Sequence, residues 1–282
     1  MYFNLRPKIG KKMTSLENKL SKRSRNQALL EKFTNEYTFI LAKTASEKNK
    51  VLLLRHAVFL QELNYEMHED QTKNYETDEY DNTSIHCLIE HKKSGLPAGC
   101  MRLVIPSSDP ASKLYKLPVE IQGKKKLNHS TLHPSVMSKT QLCEVSRLAI
   151  SRHFRPRQQA KNQLDVIFDE YNFSTEETET FPLIAIGLFL CTYSLVGLSG
   201  KRHVFAMMEP RLPRLLSLSG FHFTQVSDVI EYHGSRHAYY IDHIKAEKEM
   251  HEDLMPLYLY IRRALEPQLK ELLARKDSSS IA

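Results

Sequence analysis

The chain has 282 residues and a formal net charge of +7, with 40 lysines and arginines against 33 acids. Only nine glycines are present, which excludes Gly-rich and collagen-like proteins, and the length suits one large domain or two small ones. Four cysteines without a C-x-x-C pair exclude a zinc knuckle and predict free thiols in an intracellular protein. The basic balance fits nucleic acid, an acidic protein partner or a phosphate-bearing carrier equally well.

The N-terminal part is predicted to be an arm followed by helices. Residues 1–26 are basic and lack the apolar run of a secretory signal, so we expect a loosely ordered arm. Residues 27–47 carry apolar side chains at about helical spacing, which predicts a helix or an adaptable arm. Residues 50–65 predict a second helix that is buried around most of its circumference.

Strand-like segments follow these helices. Residues 84–90 and 99–106 flank the turn SGLPA and predict a β-hairpin. Residues 107–140 are rich in Ser, Pro, Lys and His and predict a long insertion. Residues 141–150, QLCEVSRLAI, predict a third strand.

The most apolar segment is residues 181–198. It approaches the roughly 17 to 20 residues that span a bilayer. Pro182, the polar residues within it and the strand-like run behind it favour a buried helix, with a membrane span as the alternative. The acids of STEETET, directly before it, suit a helix N-terminus.

The last third of the chain predicts strands and helices in alternation. Residues 203–209, 221–226 and 237–243 predict strands, and PRLPRLLSLSG predicts a short helix closed by Gly220. Residues 246–274 predict a terminal helix. The order of elements predicts a mixed sheet with helices packed on it, an α/β (α+β) fold.

The domain organisation follows from this order. We predict a basic arm over residues 1–26, a single domain over residues 27–245 and a C-terminal helix and tail over residues 246–282.

An acid cluster precedes the first strand of the hairpin and comprises Glu76, Asp78 and Asp81. It fails as an EF-hand calcium loop, because the fifth and twelfth positions counted from Glu76 are Tyr80 and Cys87. Another metal site, a solvated acidic turn and half of a catalytic site remain as interpretations.

Four further charges lie within otherwise apolar segments: Arg55, Arg102, Glu144 and Arg147. Charges in such positions are costly unless they are paired. We therefore predict that they pair with the acid cluster and form a pocket with tuned pKa values.

Four short motifs in a fixed order resemble those of a known group of enzymes. They are R-x3-F-x5-Y, E-x-D-x2-D, the arginine of GCMRL and E-V-S-R. The pattern is similar to LuxI-type acyl-homoserine-lactone synthases, long-chain N-acyl amino acid synthases and PEP-CTERM/exosortase-associated acyltransferases. The resemblance implies a GNAT-like fold, with a mixed, mainly antiparallel sheet and splayed central strands. The positions that match are Arg55, Phe59, Tyr65, Glu76, Asp78, Asp81, Arg102, Glu144, Ser146 and Arg147.

The chain departs from the homoserine-lactone synthases in ways that favour the other two groups. Those synthases usually carry Trp where Tyr65 stands, and this chain adds an arm, an insertion and a C-terminal helix. The resemblance thus implies transfer of a long-chain fatty acyl group to the α-amine of an amino acid or related amine, with homoserine-lactone synthesis as the alternative. RHFRPRQQAK stands where ordinary acetyltransferases have a Gly-rich pyrophosphate loop. We therefore expect an acyl-carrier protein donor, with acyl-CoA as the alternative.

The resemblance also implies roles for the matching residues. Glu144 would be the general base that takes a proton from the amine. The acid cluster would hold the ammonium group or orient Arg55 and Arg102, with Arg147 alongside. Ser146 would bond the pantetheine arm or the acyl carbonyl, and backbone N–H groups of residues 144–150 and 203–208 would polarise the thioester.

Two further groups of residues receive roles. Phe189 and Tyr193 of the apolar helix would line an acyl tunnel, with a place in the ordinary core as the alternative. Arg55, Phe59 and Tyr65 are expected to bind substrate as well. Complementary charge speeds the encounter with an acidic carrier. The residues expected to dock it are Arg152, Arg155, Arg157 and Lys161.

We expect a cytoplasmic, bacterial-type enzyme with no metal or tightly bound cofactor, and with peripheral membrane association left open. The histidines lack paired metal spacing, and Cys143 has no evident His partner. A competing hypothesis is a non-enzymatic protein that binds nucleic acid or an anionic surface. It is suggested by the basic arm with Lys11, Lys12, Lys19, Lys22, Arg23 and Arg25. It leaves E-V-S-R and the acid cluster unexplained, so we expect no nucleic-acid partner.

Overall fold

The computed structural model describes residues 24–155 and 173–279. The predicted arm up to Arg23 and two predicted docking residues, Arg157 and Lys161, lie outside these ranges. The described residues form a mixed, mostly antiparallel eight-stranded sheet with helices packed on it, which confirms the predicted GNAT-like α/β fold. The order along the sheet is β1-β4-β5-β6-β7-β10-β8, and β9 pairs with β10. Its strands are β1 Tyr37–Leu41, β4 Ile85–His91, β5 Pro97–Val104, β6 Leu142–Ile150, β7 His203–Met208, β8 Thr224–Gln225, β9 Ile230–Glu231 and β10 Ser235–Asp242.

The segment predicted as a helix over residues 27–47 is instead a helix followed by an edge strand. Helix α1 covers residues 24–36, and β1 then pairs antiparallel with β4. The helical prediction was wrong for β1, because pairing with β4 extends this segment and turns Tyr37, Phe39 and Leu41 inward at the strand period. Aromatic and β-branched residues pack well on such a pleated surface.

Helix α2, Ala45–His56, begins earlier than the predicted helix over residues 50–65. A capping box sets its start, because the Thr44 side chain accepts from Glu47 N and the Glu47 side chain accepts from Thr44 N. The helix continues as a π-helical turn, Ala57–Glu62. A short ribbon of β2, Glu69–Asp70, and β3, Tyr75–Glu76, then leads into the acid cluster.

The predicted hairpin is confirmed as β4 and β5, and the third predicted strand as β6, which pairs antiparallel with β5. The insertion between β5 and β6 contains α3, Pro118–Gly123, and several 3-10 turns. A bulge lies in β6, where Arg147 and Leu148 face the single residue Met101 of β5. Bulges bend a strand and redirect its side chains.

The sheet opens between β6 and β7. These two strands run parallel and pair only from Leu142 with His203 to Val145 with Ala206. Beyond that point β6 stays on β5 as far as Ile150, whereas β7 stays on β10 as far as Met208. The division leaves a wedge-shaped gap beside residues 146–148.

Helix α4, Thr175–Thr178, precedes α5, Pro182–Leu198, which packs in the main core as predicted. The described residues contain no helix with the length and apolar character needed to cross a membrane. Helix α6, Arg211–Ser217, follows β7 and ends before Gly220, which has a φ of +89°. A Cβ at Gly220 would lie 2.2 Å from the Glu249 carbonyl oxygen, so only glycine fits there.

The predicted terminal helix is two helices, α7, His243–Glu249, and α8, Met255–Ser279. The break arises because Met250 is extended and buried, and Pro256 suits the first turn of a new helix. Helix α8 packs into the same core as the sheet through Leu257, Ile261 and Leu265.

Candidate active site

A cleft of about 700 Å³ occupies the gap between β6 and β7. Its floor is formed by β6 from Glu144 to Leu148 and by β7 from Ala206 to Met208. Apolar side chains such as Met101, Phe189 and Leu212 line one part of it. Charged and aromatic side chains line the remainder.

A closed ring of six charged side chains stands beside the cleft. Each of its three carboxylates contacts two arginines, and each arginine contacts two carboxylates. The order around the ring is Arg55, Glu76, Arg147, Asp78, Arg102, Asp81 and back to Arg55. The formal charges of the ring sum to zero.

Arg55 is fully buried at the end of α2. Its Nε donates to Glu76 Oε2 at 2.5 Å, and its Nη1 and Nη2 donate to Asp81 Oδ1 and Oδ2 at 2.6 and 3.0 Å. Burial by itself would raise the pKa of Asp81, but Arg55 and Arg102 hold it well below its usual range. Arg55 and Asp81 are therefore a charged pair at neutral pH.

Arg102 is fully buried in the middle of β5. It donates to Asp78 Oδ1 and Oδ2 at 2.5 and 2.9 Å and to Asp81 Oδ1 at 2.7 Å. Its Nε donates to the Ser146 hydroxyl at 3.2 Å. Burial would raise the pKa of Asp78, but Arg102 and then Arg147 lower it. Arg102 thus joins the acid cluster to β6.

Arg147 completes the ring from the bulge of β6. Its φ is +57°, which is rare for a residue with a long side chain. Its Nε donates to Glu76 Oε1 and Oε2 at 3.1 and 3.2 Å, and its Nη2 donates to Asp78 Oδ2 at 2.9 Å. Arg147 also lines the cleft, so it links the buried ring to the open space.

Glu144 lies outside the ring, buried at the floor of the cleft. Its Oε2 accepts a hydrogen bond from Val119 N at 2.7 Å. Burial raises the pKa of Glu144 to about 8, against the opposing effects of the Val119 N–H, Arg102 and Arg147. A carboxyl group with this pKa exchanges a proton near neutral pH.

Stacked aromatic rings also line the cleft. The Tyr65 ring stacks with Phe59, with centroids 6.2 Å apart, and with His233, with centroids 4.7 Å apart. Both neighbours are nearly parallel to it, at 9° and 13°. Arg236 donates to the Tyr65 hydroxyl at 3.1 Å, which fixes the ring.

The comparisons with known proteins agree with this geometry. The acetyltransferase (GNAT) domain family matches residues 54–163, a range that contains the whole ring and Glu144. The described residues have a GNAT-like fold. The comparison with curated proteins gives no match.

Solved structures of similar fold include acyltransferases. BjaI, a CoA-dependent acyl-homoserine lactone synthase solved with SAM and isopentyl-CoA, has a TM-score of 0.51 and 17% identity, over 80% of this chain and 89% of that one. FeeM, an N-acyl amino acid synthase from uncultured soil microbes, has a TM-score of 0.49 and 12% identity, over 76% of this chain and 94% of that one. At these identities the likeness to BjaI shows a shared fold.

The fold brings most of the residues proposed from sequence to one place. The six ring members form one closed network, Ser146 bonds to Arg102 of that network, and the cleft is lined by Glu144, Phe59, Tyr65 and Phe189. Tyr193 is different, because its ring packs on Phe221 and Tyr258 and its hydroxyl donates to His243 O at 2.6 Å. The structure therefore places Tyr193 in the core rather than among the described residues that line the cleft.

The proposed carrier-docking residues that are described lie just after β6. Arg152 begins a 3-10 turn, and Arg155 follows that turn and forms an ion pair with Glu62 of the π-helical turn. The charge of Arg155 is thus already engaged by the protein.

Sequence reasoning missed several residues of the cleft, among them Tyr232, His233 and Arg236. They lie on the turn and strand formed by β9 and β10, far along the chain from the motifs. The one sequence signal for these residues was Arg236, two positions after Gly234 in HGSRHAYY. Its side chain reaches the cleft only because β10 pairs with β7.

Across residues 24–155 and 173–279, no group of three or more His, Cys, Asp or Glu side chains has an arrangement that could hold a metal ion. The acid cluster bonds arginines instead.

Proposed function

We propose that the chain is an N-acyltransferase that moves a fatty acyl group from a carrier-bound thioester to the α-amine of an amino acid. The observation that carries this proposal is the position of Glu144, a buried carboxyl with a pKa of about 8, on the floor of a cleft where the sheet of a GNAT domain opens.

Glu144 provides the base for this reaction. The amine must lose a proton before it attacks, and a free amino acid is mostly an ammonium ion at neutral pH, because even a peptide α-amino group has a pKa of roughly 8. A carboxylate whose pKa is raised toward that of the ammonium group accepts the proton at a lower energetic cost than an ordinary carboxylate. The amine nitrogen then bonds to the thioester carbonyl carbon, the C–S bond breaks and the carrier thiol leaves with a proton.

The gap between β6 and β7 provides the place for the thioester. Backbone groups of residues 146–148 that would face β7 have no strand partner there among the described residues. N–H groups in such a position stabilise the negative charge that develops on the carbonyl oxygen. The Ser146 hydroxyl accepts from Arg102 and is available to the pantetheine arm.

The two ends of the cleft suit the two substrates. Met101, Phe189 and Leu212 offer apolar surface to a fatty chain, whose burial is favourable by roughly 0.8 kcal/mol per methylene. The ion pairs of the ring hold Arg147 in place. The ring carboxylates would thus position the arginines and would not bind the ammonium group of the acceptor directly.

The donor in this proposal is an acyl-carrier protein, because the sequence after β6, RHFRPRQQAK, contains none of the glycines of a pyrophosphate-binding loop. Purified protein incubated with palmitoyl-carrier protein or palmitoyl-CoA and a mixture of amino acids should form N-acyl amino acids that mass spectrometry detects. A parallel reaction with SAM as acceptor tests homoserine-lactone formation.

The matched controls are Glu144→Gln, which should lose most of the activity, and Glu266→Gln on the exposed face of α8, which should retain it. Release of acyl-homoserine lactone without N-acyl amino acid would replace the proposed acceptor. Full activity of Glu144→Gln would remove Glu144 as the base.

A further inference from the structure

Two arginines outside the ring, Arg211 and Arg236, line the cleft, and Arg236 is the less exposed of the two. Its Nε donates to Tyr232 O at 2.8 Å, and its Nη2 donates to the Tyr65 hydroxyl at 3.1 Å and to His233 O at 3.5 Å. No described residue accepts a hydrogen bond from its Nη1. Neutral oxygens therefore accept from Nε and Nη2, and Nη1 is left open to the cleft.

The positive charge of Arg236 is poorly compensated by the protein. The carboxylate that pairs with it, Glu209, lies 3.6 Å from Nη2 and has a side chain that is 58% exposed. Solvent screens such a pair strongly. The side chain of Arg236 is only 18% exposed, so its own contact with water is limited. The ring arginines, by contrast, are matched one for one by carboxylates.

Arg236 lies close to the residues of the proposed reaction. His233 stacks on Tyr65, and its pKa is lowered first by burial and then by Arg236 and Arg147. Arg147 also acts electrostatically on Glu144. Glu144, Arg147 and Arg236 all line the same cleft.

We propose that Arg236 binds the carboxylate of the acceptor, so that the acceptor is an amine that also carries a carboxylate. The open Nη1 can donate charge-assisted hydrogen bonds to a carboxylate, and these are stronger than neutral ones. The inference rests on the proposed function and names the residue that recognises the amino acid, because Arg236 would orient it with its amine toward Glu144.

The test compares amino acids with their α-carboxamides, which keep the amine and lose the carboxylate charge. Leucine, phenylalanine and tyrosine and their amides serve as probes, at equal concentrations of unprotonated amine. Binding is measured by calorimetry without any acyl donor, and KM is measured in the acyl-transfer assay. Arg236→Gln should weaken binding of the acids and raise their KM roughly tenfold or more, as expected for loss of a charged hydrogen bond. The amides should change less than about twofold.

Two variants check that the effect is specific. Arg236→Lys keeps the charge without the planar fork and should recover part of the affinity for acids. Arg214→Gln, on the exposed side of α6, should leave both classes unchanged.

Equal losses for acids and amides in Arg236→Gln would overturn the inference. So would a rise in KM for the acyl donor alone, since Arg236 would then bind a phosphate of the donor. The protein could also bind amino acids in an Arg236-dependent way, as measured by calorimetry, and yet transfer no acyl group. That result would contradict the proposed reaction and support the carboxylate site.

Discussion

Arg147 donates its Nε to both carboxylate oxygens of Glu76 while its own backbone has a φ of +57°. A left-handed conformation costs a non-glycine residue roughly 1–2 kcal/mol. The ion pairs with Glu76 and Asp78 offset this cost and hold the bulge that opens the sheet between β6 and β7. The conformation of one residue thus connects the buried ring to the shape of the cleft.

This relationship predicts that Arg147→Gly is more stable than Arg147→Ala by about 1 kcal/mol. Both variants lose the same ion pairs, and only alanine retains the backbone strain. Urea unfolding of the two variants measures the difference directly. Equal midpoints would mean that residue 147 is not held in the left-handed region in solution.

Removal of one buried arginine from the ring should lower the free energy of unfolding by a large amount. Arg102→Gln would leave Asp78 and Asp81 in a buried position with less compensation, which typically costs 3–5 kcal/mol. The matched control is Arg202→Gln, since Arg202 is 47% exposed and pairs with Asp242 at 2.8 Å. An exposed pair of this kind contributes less than about 1 kcal/mol. Similar chemical-unfolding midpoints for the two variants would contradict the ring.

Glu144 predicts a pH-dependent stability that is independent of any activity. Its carboxyl has a pKa of about 8 in the folded protein and about 4.3 in an unfolded chain. Between these values the native state binds more protons than the unfolded state, so stability falls as pH rises from about 4 to 8. Glu144→Gln removes this contribution, and the variant should gain stability over the wild type steadily across that range. A difference in unfolding free energy that stays constant from pH 5 to 8 would show that Glu144 is ionised normally.

The sequence was a good guide where a local pattern determined the structure. The alternation in SIHCLIE and GCMRLVIP predicted β4 and β5, and the unpaired charges Arg55 and Arg102 predicted ion pairing with the acid cluster. Both predictions rest on free-energy costs that depend on the residues of one short segment. These are the cost of exposing apolar surface to water and the cost of burying an unpaired charge.

The sequence was a poor guide where distant segments meet. β1 is a strand because β4 and α8 lie on either side of it, and nothing within residues 37–41 excludes a helical turn. Arg236 reaches the cleft because β10 pairs with β7, and Tyr193 turns away from it because α7 and α8 pack on that side of α5. Tertiary contacts decide such positions, and local periodicity does not encode them.

Gln268 of α8 stabilises the edge strand β1 through hydrogen bonds to its backbone. Its Oε1 accepts from Leu41 N and its Nε2 donates to Phe39 O, both at 2.9 Å. Gln268→Ala would leave these backbone groups of β1 without partners and should cost about 1–3 kcal/mol in denaturant unfolding. Lys270→Ala, on the exposed face of the same helix, should change stability by less than about 0.5 kcal/mol. Faster amide hydrogen exchange at Leu41 in Gln268→Ala alone would locate the loss at β1, and unchanged exchange would contradict the contact.

The pKa of Glu144 also predicts the pH dependence of acyl transfer. A general base acts only when it is ionised, so kcat/KM should rise about tenfold per pH unit below pH 8 and level off above it. The acceptor amine ionises in a similar range, so the profile must be measured with two acceptors whose amines differ in pKa. A limb that belongs to Glu144 keeps its position with both acceptors. In Glu144→Gln this limb should disappear and kcat at pH 8 should fall by at least about 10²-fold. If Glu144→Gln kept a limb near pH 8 with both acceptors, the proton would be taken by another group.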